Sequence, residues 1–176
     1  STLRRLLDAA EALSEKDLSK IAAEGTYDAL ADTTVAQPLL FLADWAWGKS
    51  LLDAGLRPAA LAGHSLGEYA ALAVAGAFSP EAGLELVVER SRLMANAASV
   101  SPGAMSAVLG LDAAEVASAM AGIDGVWVAN DNCPGQVVIS GTVAGVEAAS
   151  QALTDAGARR VVALAVSGAF HSPLMH

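Results

Sequence analysis

The sequence predicts an α/β protein in two parts: a larger α/β part over 1–101 and 167–176, and an inserted, ferredoxin-like βαββαβ part over 102–166. Three observations point there. A short apolar run at 59–62 leads into the turn Gly63-His64-Ser65-Leu66-Gly67 and a new apolar helix. From Pro102 onward, strand-like and helix-like patterns follow in the order strand, helix, strand, strand, helix, strand. Finally, 54 % of the 176 residues are hydrophobic against 16 % charged, enough for a sizeable core and the wrong composition for long disorder.

The individual elements follow from local signals. The charged, Ala/Leu-rich segment 3–30 reads as one or two surface helices. A helix over 35–53, ending near Gly55, carries Leu39, Leu40, Leu42, Trp45 and Trp47 as its apolar side. The run 59–62 is expected to be a strand, the turn after it sharp, and 68–75 a helix. Ser79-Pro80 opens the next helix, to about 98, as N-cap and first-turn proline. In the second part, 104–109, 126–129, 136–140 and 160–166 read as strands and 112–121 and 142–156 as helices, with Gly103, Gly135 and Gly168 at the edges.

Composition narrows the function. Lys plus Arg total 10 and Asp plus Glu 19, a net charge of −9, which argues against nucleic acid because phosphate binding needs a basic face. Apolar runs are cut by charged residues or glycine before the roughly 20 residues of a membrane span, and Ser1 to Asp8 form no signal core. One cysteine, Cys133, excludes an internal disulfide, and three histidines beside it give no zinc spacing. A cytoplasmic, reducing setting without metal is expected.

The chemistry concentrates at Gly63-x-Ser65-x-Gly67. A serine on a strained strand-to-helix turn projects its hydroxyl clear of the chain, and the Leu66 amide then sits where an oxyanion would form. That gives the larger part a hydrolase-like character. Serine needs a base, and of the three histidines His171 fits best, in the small-residue loop Gly168-Ala169-Phe170-His171. His64 points away from its neighbour on a sharp turn, and His176 is terminal. Arg92 has Glu85 and Glu89 at helical spacing, a solvated ion-pair face. Arg90 instead has Leu86, Val87, Leu93 and Met94 around it and is expected to meet an anion, either a structural carboxylate or that of a substrate.

Taken together, Gly63-His64-Ser65-Leu66-Gly67-Glu68-Tyr69, Arg90-x-x-x-Met94, Gly103-Ala104-Met105-Ser106, Asn132-Cys133-Pro134-Gly135-Gln136-Val137-Val138-Ile139-Ser140-Gly141 and Gly168-Ala169-Phe170-His171 resemble the malonyl-CoA:acyl carrier protein transacylase family. The resemblance implies Ser65 as nucleophile, His171 as base and then acid, Arg90 as clamp for the malonyl carboxylate and the Leu66 amide as oxyanion donor. It also puts Met94 in the substrate site and Asn130, Asn132 and Gln136 near the acyl-CoA arm. Arg159 and Arg160 would meet coenzyme A phosphates, and Phe170 would crowd an α-methyl branch. Malonyl-CoA and acyl carrier protein are the implied partners, in fatty acid biosynthesis, with the coenzyme A thioester as substrate and no bound cofactor.

Against that family's pattern, no Gly-Gln-Gly-Ser-Gln-like loop stands before Ser1 and no strands follow His176, so an incomplete domain is expected. Two other functions fit the same elbow: a serine thioesterase or esterase, in which water is the acceptor, and an inactive fragment that binds carrier protein.

Overall fold

Caps set the limits of the N-terminal helices. In the computed structural model, which describes residues 1–166 and 168–176, α1 (Thr2–Ser14) starts on the Ser1 hydroxyl and α2 (Leu18–Glu24) on the Asp17 carboxylate. Thr26 caps α3 (Tyr27–Ala31) and Asp32 caps α4 (Thr33–Asp53), each side-chain oxygen accepting a backbone N–H. Every such cap needs non-helical backbone, so 3–30 is cut into three helices where the sequence suggests one or two. Ser167, at the head of the predicted histidine loop, lies outside the described residues.

Helix α4 buries Val35, Pro38, Phe41, Leu42 and Trp45, spaced three or four apart along one stripe. Leu40 and Trp47, expected on that side, are 53 % and 72 % exposed, because seven residues apart they share a different face. Pro38, in the second turn, forfeits one intrahelical hydrogen bond and is itself fully buried. Helix α5 (Gly67–Ala75) ends at Gly76, whose φ of 79° suits glycine, and α6 (Pro80–Val100) opens where the Ser79 hydroxyl accepts the Ala82 N–H at 3.1 Å. One core of Leu6, Leu18, Phe41, Leu66, Leu84 and Val87 joins these helices.

The predicted strand at 59–62 is not one. Ala59 to Ala62 are exposed, with a bend at Ala59, and none of them enters a β-ladder among the described residues. An apolar run makes a strand only with a ladder partner for its N–H and C=O groups. Here the run borders an open apolar groove with Leu40, Ala70 and Val74.

The chain divides into two compact units, Ser1–Leu93 and Met94–His176. In the second, β1 (Ala104–Leu109), α7 (Ala113–Ala119), β2 (Val126–Cys133), β3 (Gln136–Gly141), α8 (Val143–Asp155) and β4 (Arg160–Ala163) form an antiparallel sheet of order β2-β3-β1-β4 with two helices. That is the ferredoxin-like βαββαβ arrangement. Alternation along β3 fixes the register: Val137 and Ile139 pack with Val108, Val116, Val146 and Leu153, while Val138 faces Met105, Ala98 and Phe170. Strand β4 ends at Ala163 and not at 166, because the Val166 N–H turns back to the Leu164 carbonyl. The bridge between Pro102 and Gly168 ties the two edges of this segment together.

The helices of the described residues are too short or too polar to cross a membrane, and no three His, Cys, Asp or Glu side chains among them gather to hold a metal.

Asp32 supplies a test. Burial alone would raise its carboxyl, but hydrogen bonds from Thr34 and Lys16 outweigh that and hold it below the usual carboxylate range. A depressed folded value means its contribution is present above the unfolded carboxylate pKa and lost as pH falls through the folded one. Asp32→Ala is expected to lower stability by about 1 kcal/mol, the cost of a lost N-cap. Urea denaturation should show that difference at pH 7 and see it shrink as the pH drops below about 4.

Candidate active site

The turn around Ser65 is built by one close approach. A Cβ on Gly63 would lie 2.0 Å from the Gly67 carbonyl carbon and 2.3 Å from the Glu68 nitrogen, so only glycine lets the chain fold back on the start of α5. The Gly67 N–H closes the turn on the His64 carbonyl at 2.9 Å, and Ser65 takes a left-handed φ of 52°. Non-glycine residues rarely hold that conformation, and where they do the strain commonly serves a site. Leu66, buried, precedes α5 without a side-chain cap, and among the described residues its amide meets no backbone carbonyl. The strained elbow is therefore present without the strand the sequence puts before it.

Arg90 comes to this turn from α6. Its Nη2 donates to Ser65 Oγ at 3.1 Å, its Nη1 donates to Gln37 Oε1, and its Cζ lies 5.7 Å from the centre of the Tyr69 ring. Gln37 is only 5 % exposed, and its Nε2 donates to Thr33 Oγ1 at 2.7 Å. Among the described residues no carboxylate pairs with Arg90, so the structural salt bridge considered for it is not made. Leu86 and Leu93, expected around Arg90, are exposed; Val87 is buried. Arg92 does what its spacing predicts and pairs with Glu89 at 2.6 Å, whose carboxyl that hydrogen bond holds below the ordinary range; Glu85 takes no part.

In the second unit, His171 is exposed with a φ of 58°, the same left-handed conformation as Ser65. Its loop is held firmly. The buried Ser172 hydroxyl donates to the Ala169 carbonyl at 2.6 Å and accepts the Leu174 N–H, starting a 3₁₀ turn over Pro173–Met175. A Cβ on Gly168 would meet Ala98 Cβ at 2.6 Å. Phe170 is buried with Ala98, Met105 and Val138, and Met94 packs against that cluster. Asn130 lies opposite Val138 across the β2–β3 pair, while Asn132 and Gln136 meet at the hairpin end at 3.4 Å. Arg159 and Arg160 are exposed where β4 begins. Gln37 is absent from the sequence signals, and Tyr69 stands in the serine motif without a role; a lone amide in an apolar run and a ring four residues after the serine are the signals available for them.

Residues 2–176 match the family described as acyl transferase domain. The chain is 43 % identical over 176 residues to a malonyl CoA-acyl carrier protein transacylase of Bacillus subtilis, covering 98 % of this chain and 56 % of the relative. The crystal structure of a Synechocystis malonyl-CoA:ACP transacylase superposes with a TM-score of 0.86 at 43 % identity, covering 98 % of this chain and 57 % of that one. A malonyl transacylase solved with its type II polyketide acyl carrier protein gives 0.89 at 36 % identity, covering 98 % and 57 %. The chain thus spans little more than half the length of the relatives it matches.

The two glycines of the turn should behave differently. Gly63→Ala collides with backbone that cannot rotate away, and is expected to cost about 3 kcal/mol, the upper end of overpacking. A Cβ on Gly67 meets nothing within 4 Å, so Gly67→Ala should leave the urea midpoint unchanged or slightly raised.

Proposed function

The chain belongs to the acyl transferase domain family, and on that premise we propose that it moves a malonyl group from malonyl-CoA, through an ester on Ser65, to the phosphopantetheine thiol of an acyl carrier protein in fatty acid biosynthesis. The observation that carries this reading is the 3.1 Å hydrogen bond from Arg90 to Ser65 Oγ. A fixed cation within hydrogen-bond reach of a nucleophile suits an acyl group whose far end is a carboxylate. Malonyl is such a group, with one carbon between its thioester carbonyl and its carboxylate.

In this mechanism Ser65 Oγ attacks the thioester carbonyl and loses its proton to His171. The carbonyl oxygen takes the negative charge and is met by the Leu66 amide at the start of α5. The C–S bond breaks, His171 returns the proton to the coenzyme A sulfur, and malonyl-Ser65 remains. The carrier-protein thiol then repeats the sequence in reverse, with His171 again first base and then acid, and Ser65 is regenerated. Two half-reactions through one covalent intermediate are ping-pong kinetics. The shared left-handed backbone of Ser65 and His171 supports these two roles.

Met94 and Phe170 are assigned to the acyl pocket, Asn130, Asn132 and Gln136 to the pantetheine arm, and Arg160 with Arg159 to the coenzyme A phosphates. The coenzyme A thioester is substrate, and no bound cofactor enters any step. Segment 102–166 is read as the small subdomain of the transferase, and the setting as cytoplasmic. The names of the relatives give the thioesterase and esterase readings no support.

Donor selectivity tests this. Arg90→Ala is expected to slow transfer from malonyl-CoA about 10- to 100-fold, the worth of a hydrogen-bonded charge pair, while sparing an uncharged acetyl donor; an equal loss for both donors would sink the clamp. Phe170→Ala should raise methylmalonyl-CoA relative to malonyl-CoA, and an unchanged ratio would remove Phe170 from selectivity.

A further inference from the structure

Arg90 is held by a neutral partner. Gln37 is 5 % exposed, in the second turn of α4, and its contact with a guanidinium sets the orientation of its amide. A guanidinium has donors and no acceptor, so the side facing Arg90 Nη1 must be Oε1. The nitrogen then donates to Thr33 Oγ1 at 2.7 Å, one helical turn back. Tyr69 lies under the guanidinium carbon at 5.7 Å. These contacts fix the plane of the fork while adding no negative charge, and among the described residues no carboxylate pairs with it.

We propose that Gln37 is the positioning residue of the Arg90 clamp and that its neutrality sets the preference for donors bearing a carboxylate. The inference rests on the acyl-transfer reading above. A glutamate at the same place would have almost the same shape and would pair with Arg90 as an ion. The cation would then be compensated inside the protein, and an incoming carboxylate would meet a second negative charge. An acetyl group carries no charge and is indifferent to that change. A buried amide beside a buried-edge arginine therefore keeps the positive charge available to substrate, which a carboxylate cannot do.

The test compares wild type with Gln37→Glu and Gln37→Leu, each first shown folded by circular dichroism and urea denaturation. Nitrogen-15 NMR of the Arg90 guanidinium reads the hold directly and needs no turnover. Slow rotation about its Nη bonds is expected in wild type and should be lost in Gln37→Leu. Serine acylation from malonyl-CoA and acetyl-CoA, followed by intact mass, reads the selectivity. The malonyl-to-acetyl ratio is expected to fall at least about tenfold in Gln37→Glu, with acetyl transfer retained. Unchanged Arg90 rotation in Gln37→Leu, or a wild-type donor ratio in Gln37→Glu, would overturn the proposal. Failure of the acyl-transfer reading looks different: wild type gives no adduct from either donor. Malonyl-CoA added to Ser65→Ala, with and without Gln37→Glu, then decides the charge argument. Arg90 resonances that shift only where residue 37 is glutamine support it, and equal shifts or none in both overturn it.

Discussion

Everything placed around Ser65 depends on the missing side chain of Gly63. With its Cβ position 2.0 Å from the Gly67 carbonyl carbon, the chain can double back only there, and doubling back drives Ser65 into a left-handed backbone. That backbone leaves the hydroxyl 3.1 Å from Arg90 Nη2 and the Leu66 amide just before the first residue of α5. The buried Leu66, Ala70 and Ala73 then anchor α5 to the core shared with Phe41, Trp45, Leu84 and Val87. A turn that is unfavourable by itself is thus over-determined by packing on one side and backbone contact on the other.

Charge is handled with equal economy. The two arginines of α6 lie two residues apart, yet Arg92 finds Glu89 in solvent and Arg90 finds an amide, a hydroxyl and a ring. An exposed pair like the first contributes little. The second keeps its charge in a partly buried place, a costly arrangement that makes sense where an anion is to be bound. On the proposed function, a donor with a terminal carboxylate supplies such an anion.

Much of this was legible in the sequence because the signals are local. Strand β1 has its predicted limits, and the βαββαβ order follows from alternation in β3 and from the Asp112–Glu115 capping box that starts α7. Ser65 and Arg90 stood out by motif and by a charge among apolar residues. What failed depends on non-local partners. The run 59–62 has strand-like residues and, among the described residues, no ladder partner; Leu40 and Trp47 are apolar on the wrong face; β4 stops where the Val166 N–H turns back to Leu164. Gln37 was invisible because a glutamine gains meaning only from the arginine 53 positions away that it faces.

On the proposed function the Ser65 turn is a working nucleophile. Intact-protein mass spectrometry after brief mixing with malonyl-CoA tests it most directly, with Ser65→Ala beside wild type. One malonyl adduct, mapped to the peptide containing Ser65 and absent from Ser65→Ala, is the predicted result. An adduct of the same size that persists in Ser65→Ala, or folded wild-type protein that leaves malonyl-CoA unchanged, would contradict it.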